Sequence, residues 1–515
     1  MKCLIGIDVG TQSLRACAFR LDGHLIAKEI VPFNSTSKPA PSQAEQDPME
    51  WWNAAIFALK RIANNPNIVL NDIVALSYAC TSCTAVFLDE NDLPVRPALL
   101  WMDHRATEEA SIVQNTNSPV LPYSGSKVSP EWMFPKILWI KTHEPETIEK
   151  STHIVEQIDF FTYKLTGKWT LGYNHLVAKW NYANPVGGWP DGFISELGLF
   201  DIQKKWPQQV VPIGSVVGTL DPKVCHETGL PEKILVVQGG MDSTAGMLGL
   251  GAFKVGQIGM SHGTSTVLQC QFDRFAKGLR GRPDALVNGL YLIGGGETST
   301  GSVAQWLVKQ LSKDSMVPYK DFYNYLEDEV VKIPPGSSGM VVLEHFQGSR
   351  SIPDPDSRGV IWGLTLWHTS AHILRAIYEG ISFGVRRFLD QLTGVNYPIK
   401  RLSAGGGLMR SNICTQILAD VCGLPIYLVE EKEQSALGAA IIAGTGAGCF
   451  SDFDEGIQKM VHFSDPVYPI PGNKSVYDFY YSQYLRTYDA MKDLMHNVVE
   501  FEREKTFKTE AEKVG

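Results

Sequence analysis

The chain has 515 residues, of which 44% are hydrophobic and 20% are charged, and its formal net charge is −9 at pH 7. This composition excludes a largely disordered chain, and the acidic balance argues against a dedicated nucleic-acid-binding protein, which usually carries a basic face. The length predicts two domains of about 250 residues each, because a single hydrophobic core does not grow to this size.

The first half of the chain alternates short apolar runs with one long amphipathic stretch. Asp22-Gly23 between two such runs predicts a hairpin, and Asp47 is placed to cap the helix that follows it. The predicted elements are strands at 4–9, 14–20 and 24–32, a helix at 48–62, strands at 76–79 and 86–88, a mostly helical stretch from about 115 to 232, and a buried strand at 234–238.

The second half continues the alternation of strand and helix, which makes the predicted fold class α/β. We expect domains at 1–244 and 245–490, followed by a charge-dense tail at 491–515 that is frayed or disordered after Glu500. The predicted elements are a helix at 370–392, a strand from 402 that ends in a glycine turn at 405–407, and helices at 412–421 and 434–444.

One pattern of nine residues occurs twice, half a chain apart: IGIDVGTQS at 5–13 and IGMSHGTST at 258–266. In each copy an apolar run meets a Gly-Thr-x-(Ser/Thr) turn. Glycine leaves backbone N–H groups open, and neighbouring hydroxyls add donors, so that each turn is suited to phosphate oxygens. Two such turns predict a nucleotide polyphosphate gripped between duplicated domains.

Two aspartates stand where chemistry would be expected. Asp8 ends the first strand beside the first turn, and a carboxylate there needs Mg²⁺ between itself and phosphate; a hydrogen bond to its own turn is the plainer alternative. The second copy has Ser261 instead. Asp242 follows a buried strand, at the end of the sheet where α/β proteins build sites, and it can accept a hydroxyl proton as that oxygen attacks a γ-phosphate.

Three other motifs in the sequence allow both a functional and a structural interpretation. The glycines at 405–407 let an adenine ring or ribose lie against bare backbone. Cys80 and Cys83 have the spacing of metal ligands but no second pair nearby, so a zinc site is not predicted. His368 and His372 lack the glutamate of a metalloprotease helix and are predicted to be structural.

Long-spaced motifs resemble those of the FGGY carbohydrate kinases, over residues from about 3 to about 490. The family's second signature is matched by GVIWGL at 359–364 and, seven residues later, by HILRAIYE at 372–379. The first signature is matched in part: KILWI at 136–140 agrees, whereas Met133 stands where a small residue or proline is usual.

The resemblance implies two duplicated actin-like (ribonuclease-H-like) domains with an interdomain cleft, ATP and Mg²⁺ as cofactors, and Asp242 as the general base. Ser411 departs from the asparagine usual in glycerol kinases. The implied nucleotide contacts are Thr11, Gln12, Ser13, Arg15, Gly263, Thr264, Ser265, Gly301, Gln305, Gly406, Gly407 and Ser411; the implied substrate contacts are Ser82, Cys83, Trp101, Asp103, Glu131 and Ser243; and the implied metal contacts are Asp8 and Asp242.

The substrate implied is a small sugar or polyol. Ser82-Cys83 replaces the Arg-Glu pair of glycerol kinases, and the Met-His-Gly of xylulokinases is also missing. The segments at 100–105 and 128–131 are more similar to ribulokinases, which favours a ketopentose. A tetritol, a hexulose and glycerol stay open as substrates, as do a catalytically weakened sugar sensor and an actin- or chaperone-like ATP-driven binding protein.

Sequence features also bear on compartment and partners. No apolar run reaches the ~20 residues of a membrane span, and the N-terminus does not resemble a signal peptide. Nine cysteines, an odd number, fit a reduced cytoplasm better than a disulfide scaffold. We therefore expect a cytoplasmic enzyme with no membrane or nucleic-acid partner; a homodimer stays open.

Overall fold

The computed structural model describes residues 2–124, 127–313 and 318–514. The strands are β1 (Cys3–Val9), β2 (Ser13–Arg20), β3 (Leu25–Pro32), β4 (Glu45–Gln46), β5 (Ile73–Cys80), β6 (Ala85–Leu88), β7 (Ala98–Leu99), β8 (His153–Glu156), β9 (Leu171–Gly172), β10 (Val210–Val211), β11 (Val216–Thr219), β12 (Leu235–Met241), β13 (Gln257–His262), β14 (Thr266–Phe272), β15 (Arg280–Pro283), β16 (Tyr291–Glu297), β17 (Val341–Leu343), β18 (Val360–Trp362), β19 (Arg401–Gly405) and β20 (Ile426–Leu428).

The helices are α1 (Pro48–Ala63), α2 (Thr107–Asn115), α3 (Leu121–Ser124), α4 (Met133–His143), α5 (Pro145–Lys150), α6 (Gln157–Thr166), α7 (Tyr173–Lys179), α8 (Phe193–Glu196), α9 (Phe200–Gln203), α10 (Pro222–Thr228), α11 (Asp242–Gly249), α12 (Gly301–Ser312), α13 (Tyr319–Val330), α14 (Ser370–Gly394), α15 (Asn412–Cys422), α16 (Gln434–Gly446), α17 (Phe453–Met460) and α18 (Lys474–Val514). No helix in these described ranges is long and apolar enough to cross a membrane.

The chain forms two compact units, each built from three separate segments. Unit 1 comprises Met1–Val255, Gln269–Gly294 and Glu430–His462, and unit 2 comprises Gly256–Leu268, Gly295–Val429 and Phe463–Gly515. Both units are therefore discontinuous in sequence, whereas the domains expected at 1–244 and 245–490 are contiguous stretches, and that division stays a prediction. A segment from late in the chain completes unit 1.

A six-stranded sheet in the order β11-β12-β5-β1-β2-β3 forms the centre of unit 1. Strands β1, β5 and β12 are parallel, and β2, β3 and β11 are antiparallel to their neighbours. Because side chains alternate across a strand, Ile5 and Ile7 enter the core with Trp51 of α1, whereas Gly6 faces Ala436 of α16. The sheet thus lies between two helical layers, one of which is α16.

Several sequence predictions in unit 1 are confirmed. The Asp22-Gly23 hairpin joins β2 to β3, which pair antiparallel, and the Asp47 side chain accepts a hydrogen bond from the Met49 N–H at the start of α1. The mostly helical stretch predicted at 115–232 is wrong in part: its helices are short, and the strands β8 to β11 interrupt them. Paired strands of two to four residues carry too little periodicity to be recognised.

Unit 2 contains the parallel strands β13, β19 and β20 and the long helix α14. Thr369 and His372 form a reciprocal capping box at the start of α14, so the structural role predicted for His372 is confirmed. Helix α18 continues to Val514, and the fraying expected after Glu500 stays a prediction.

Close packing of α16 on α11 within unit 1 gives a stability prediction. A Cβ at Gly438 would lie 1.7 Å from the backbone oxygen of Ala245. At least one of the two helices must therefore shift in a Gly438→Ala variant. We expect a loss of about 3 kcal/mol or more in the free energy of unfolding, measured by denaturant titration. In the control variant Gly394→Ala, a Cβ meets nothing within 4 Å, and the change should stay within about 1 kcal/mol. Equal losses in both variants would contradict the packing argument.

Candidate active site

The first Gly-Thr turn joins β1 to β2 in unit 1, as predicted. The Gly10 N–H donates to the Ser13 carbonyl at 3.1 Å, which closes the turn. Thr11 lies at its tip, where its hydroxyl accepts a hydrogen bond from the indole N–H of Trp101 at 2.8 Å, and Gln12 is exposed. A predicted phosphate contact and a predicted sugar contact are therefore neighbours.

Asp8 is 8% exposed and faces Arg15 across the two strands. Arg15 Nη1 lies 3.1 Å from Asp8 Oδ2, and Arg15 Nε lies 3.4 Å from a carboxylate oxygen of Glu433. Burial raises the pKa of Asp8, and the charge and hydrogen bond of Arg15 oppose that rise. In this arrangement Arg15, predicted to contact phosphate, is held between two carboxylates.

Asp242 begins α11, immediately after β12. The pairing of β12 with β5 shifts register between Val237 and Gly240, and a Cβ at Gly239 would lie 1.6 Å from the Tyr78 carbonyl oxygen. The strand can therefore make this irregular approach only with glycine there. The carboxylate emerges at the end of the strand, as predicted.

The charges around Asp242 explain its proton affinity. Burial and the negative charge of Asp8 raise the pKa of Asp242 to about 7, against a Ser243 N–H hydrogen bond and the positive charge of Lys179, which lower it. Lys179 also lies 3.1 Å from Glu131, a predicted sugar contact. Unit 1 thus brings Asp8, Asp242, Lys179 and Glu131 into one electrostatic cluster.

Buried charged side chains hold the loop that contains the predicted sugar contacts Ser82 and Cys83. Cys83 adopts a left-handed backbone with φ 56°; its N–H donates to Glu156 at 2.6 Å, and its carbonyl accepts from Lys136 Nζ at 2.6 Å. Burial raises the pKa of the Cys83 thiol to about 11, and the side chain is 1% exposed. Ser82 is partly exposed, so this hydroxyl and the loop backbone are the groups that a ligand can reach.

Two further predicted sugar contacts are engaged within unit 1. Asp103 is fully buried; one of its oxygens accepts from the Ala44 N–H at 2.7 Å, and Arg105 pairs with it at 2.8 Å. This ion pair argues against contact between Asp103 and a ligand. The Ser243 hydroxyl accepts from the Gln269 amide at 3.1 Å.

The second Gly-Thr turn lies in unit 2 and joins β13 to β14. The Gly263 N–H donates to the Ser265 carbonyl at 2.9 Å, and the Gly263 and Thr264 carbonyls each accept from the backbone at the start of α12, at Gly301 and Thr300. Burial lowers the pKa of His262 to about 3, so this ring is neutral. The second turn is therefore the uncharged copy, as its sequence indicates.

A glycine turn at 405–407 in unit 2 includes two of the predicted nucleoside contacts, Gly406 and Gly407. Gly406 has φ +104°, and a Cβ there would lie 2.7 Å from the His262 carbonyl oxygen, whereas Gly407 faces open space. Ser411 caps α15 and donates to Glu327 at 2.8 Å. Gln305 is exposed on α12. The bare backbone predicted for a flat ring is present at Gly407.

Sequence reasoning missed the residues that support the site from other elements. Asn174 accepts from the Met241 N–H at 2.9 Å and donates to the Ala285 carbonyl at 2.8 Å, which fixes the backbone just before Asp242. Lys179 and Glu156 were missed too. Asn174 and Lys179 lie on α7, one of the short helices whose pattern is not distinctive, so no local signal marked them.

Comparison with known proteins identifies the class and then the family. The family models "FGGY family of carbohydrate kinases, N-terminal domain" and the corresponding C-terminal domain match residues 3–249 and 259–447. The protein is therefore an ATP-dependent carbohydrate kinase. It belongs to the FGGY family, and this decides against the actin- or chaperone-like binding protein.

Named relatives agree with this assignment at low identity. An FGGY carbohydrate kinase domain-containing protein of Xenopus laevis is 30% identical, covering 95% of this chain and 96% of that protein. A ribulokinase of Geobacillus thermodenitrificans is 27% identical over 96% of this chain and 97% of its own. The crystal structure of xylulose kinase from Rhodospirillum rubrum is 25% identical, with a TM-score of 0.83, covering 96% and 100% of the two chains. The predicted actin-like, two-domain α/β fold class is confirmed.

The raised pKa of Asp242 predicts a pH-dependent stability. Folded chains keep this proton up to pH about 7 and unfolded ones only to about 3.8, so the folded state binds the extra proton between these values. Wild-type stability should therefore fall relative to Asp242→Asn as pH rises from 4 to 7, leaving the variant more stable by ~1–3 kcal/mol at pH 8. Denaturant titrations without Mg²⁺ measure this; parallel profiles for the two proteins would contradict it.

Proposed function

We propose that this kinase transfers the γ-phosphoryl group of ATP to a hydroxyl of a ketopentose, with Asp242 as the general base. The observation that carries the proposal is the Asp242 carboxylate, whose pKa is raised to about 7 by burial and by Asp8. General bases work best when their pKa lies near the operating pH. The hydroxyl oxygen would attack the γ-phosphorus while its proton passes to Asp242, and the bond from that phosphorus to the ADP oxygen would break.

Mg²⁺ is the metal that this site fits. Asp8 and Asp242 offer hard carboxylate oxygens, the ligands Mg²⁺ prefers, and their mutual repulsion is part of what raises the pKa of Asp242. When bound, Mg²⁺ would neutralise phosphate charge. Asp8 would hold it, and Arg15, at 3.1 Å from Asp8, would keep that carboxylate ionised.

We assign the nucleoside to the C-terminal domain, residues 245–490. Support comes from the open space at Gly407 and the tight backbone at Gly406, which leave a surface against which an aromatic ring can lie. The neutral turn at Gly263–Ser265 would hold phosphate through N–H groups and hydroxyls. Ser411 is already the cap of α15, so its contact with the ribose would have to be shared with that role.

We assign the sugar to the N-terminal domain, residues 1–244. Glu131 accepts and Lys179 donates hydrogen bonds, and the two form a charged pair 3.1 Å apart that suits the adjacent hydroxyls of a polyol. Ser82 and the indole of Trp101 lie on neighbouring loops. The ketopentose is favoured because relatives spanning nearly the whole chain are named ribulokinase and xylulose kinase.

A substrate screen combined with Asp242→Asn tests the proposal. Purified protein with ATP and Mg²⁺ should release ADP fastest with a pentulose, when pentuloses, hexuloses, tetritols, pentitols and glycerol are compared. Asp242→Asn should lower kcat by about 10²–10⁴-fold, because the proton acceptor is lost, and leave ATP affinity near normal.

The matched control is Asp273→Asn, which removes an exposed carboxylate paired with Arg274 in the same unit. Its kcat should equal that of the wild type. Full activity of Asp242→Asn would refute the general-base role. Sugar binding without ADP release by the wild type would instead indicate a weakened, sugar-sensing member of the family.

Replacing Lys179 tests the sugar assignment separately. Lys179→Met should raise KM for the sugar about 10-fold or more while KM for ATP stays within about twofold, since the lost charge faces Glu131. It should also move the acid limb of the pH–kcat profile upward, because Lys179 lowers the pKa of Asp242. Lys168→Met, at an exposed lysine bonded to the Val217 carbonyl, is the control. Equal rises in both KM values would count against a sugar contact.

A further inference from the structure

A second set of buried ionisable groups lies in unit 2. Glu297 ends β16, and Glu344 and His345 directly follow β17. The three residues are 2%, 1% and 0% exposed, and each offers one oxygen or nitrogen atom that lies within 4.8 Å of those of the other two. None of the three belongs to either Gly-Thr turn, and none is among the predicted catalytic, nucleotide, sugar or metal contacts.

Each member of this cluster is fixed by hydrogen bonds from outside it, which for Glu297 include one with the Ser351 side chain. The Tyr484 hydroxyl donates to Glu344 Oε1 at 2.9 Å, and His345 Nδ1 lies 2.7 Å from the Ser357 hydroxyl. Glu297 Oε2 accepts the Arg350 N–H at 3.4 Å. Outer partners of this kind orient the ligands of metal sites, above all histidine through its second ring nitrogen.

The other polar atom of each side chain has no hydrogen-bond partner among the residues that the structure describes. Glu297 Oε1, Glu344 Oε2 and His345 Nε2 are all buried without a hydrogen bond. A buried polar atom left in this state costs roughly 1–3 kcal/mol, and more when it is charged, so three together are hard to reconcile with an empty interior. They point to a species that accepts electron pairs from all three.

We propose that Glu297, Glu344 and His345 bind a divalent transition-metal ion, with Zn²⁺ as the best match. One imidazole nitrogen and two carboxylate oxygens are Zn²⁺ ligands, and a fourth position would go to water. The nitrogen donor disfavours Mg²⁺ and Ca²⁺, which take oxygen ligands. His345 Nδ1 lies 2.7 Å from the Ser357 hydroxyl, so Nε2 is the ring nitrogen that is left to bind a metal.

Two buried carboxylates lie side by side in this cluster, and two arginines act on them electrostatically: Arg387 on both glutamates, and Arg350 on Glu297. Neither arginine side chain forms a hydrogen bond to the three unpartnered atoms. The rival state is one proton shared between the two glutamates, which would leave His345 Nε2 without a partner.

The cluster ties together distant parts of unit 2. Glu344 meets Tyr484 of α18, and a Cβ at Gly384 of α14 would lie 2.4 Å from Glu344 Oε1. A bound ion would therefore link β16 to the residues after β17 and, through Tyr484, hold α18 against them. Its expected role is to stabilise unit 2 rather than to take part in phosphoryl transfer.

Metal binding by the full-length protein tests this directly. Protein stripped with a chelator should take up one equivalent of Zn²⁺ in the absence of nucleotide, by calorimetry and by elemental analysis after gel filtration. His345→Gln and Glu344→Gln should lose more than about 100-fold in affinity. Zn²⁺ at 100 times its Kd should raise the wild-type melting temperature by about 2 °C or more.

Three variants make the outcome decisive. Asp242→Asn and Glu329→Gln, the latter at an exposed ion pair with Lys332, should bind Zn²⁺ like the wild type. Tyr484→Phe keeps every ligand, removes one outer hydrogen bond, and should weaken binding about 10–100-fold; this variant serves if the ligand variants fail to fold. Co²⁺ should give visible absorption bands that His345→Gln lacks. Two results would overturn the proposal in favour of the shared proton. One is no Zn²⁺ uptake by the wild type, and the other is uptake by His345→Gln and Tyr484→Phe equal to that of the wild type.

Discussion

Two carboxylates emerge at the ends of β1 and β12, and these strands flank β5 in one parallel arrangement. Asp8 and Asp242 are therefore brought together by the sheet itself; burial raises the pKa of each, and the negative charge of Asp8 raises that of Asp242 further. The rest of unit 1 offsets this repulsion. Arg15 pairs with Asp8, Lys179 faces Asp242, and the N-terminus of α11 favours an ionised group at its first residue.

The charge of the buried side chain beside the turn also distinguishes the two copies of the Gly-Thr turn. The first copy carries a carboxylate and needs cations around it, whereas the second carries His262, whose burial keeps it neutral. The two turns thus share a backbone conformation but differ in charge, one bearing a carboxylate and the other a neutral ring. A negatively charged ligand can meet hydroxyls and N–H groups at the second turn without the repulsion that the first would impose.

Much of this could be predicted from the sequence, for identifiable reasons. Strands such as β1 and helices such as α1 and α14 have strong periodicity and clear caps, and Asp242 follows a glycine pair that marks the end of a strand. The supporting residues could not be predicted, because Asn174 and Lys179 reach the site through tertiary contacts from a short helix. Asp103 shows what a motif position cannot reveal: the sequence predicts a sugar contact there, but it does not predict the buried ion pair that the residue forms with Arg105.

Unit 1 is completed by α16, at residues 434–446, which packs on the face of the sheet that includes Gly6. During synthesis the first strands leave the ribosome long before this helix exists. One face of the central sheet would then stay uncovered, and its apolar surface would be open to chaperones or to aggregation until more than four-fifths of the chain has been translated. Folding of Asp8 and Asp242 into place is therefore a late event that depends on the synthesis of a helix that carries neither of them.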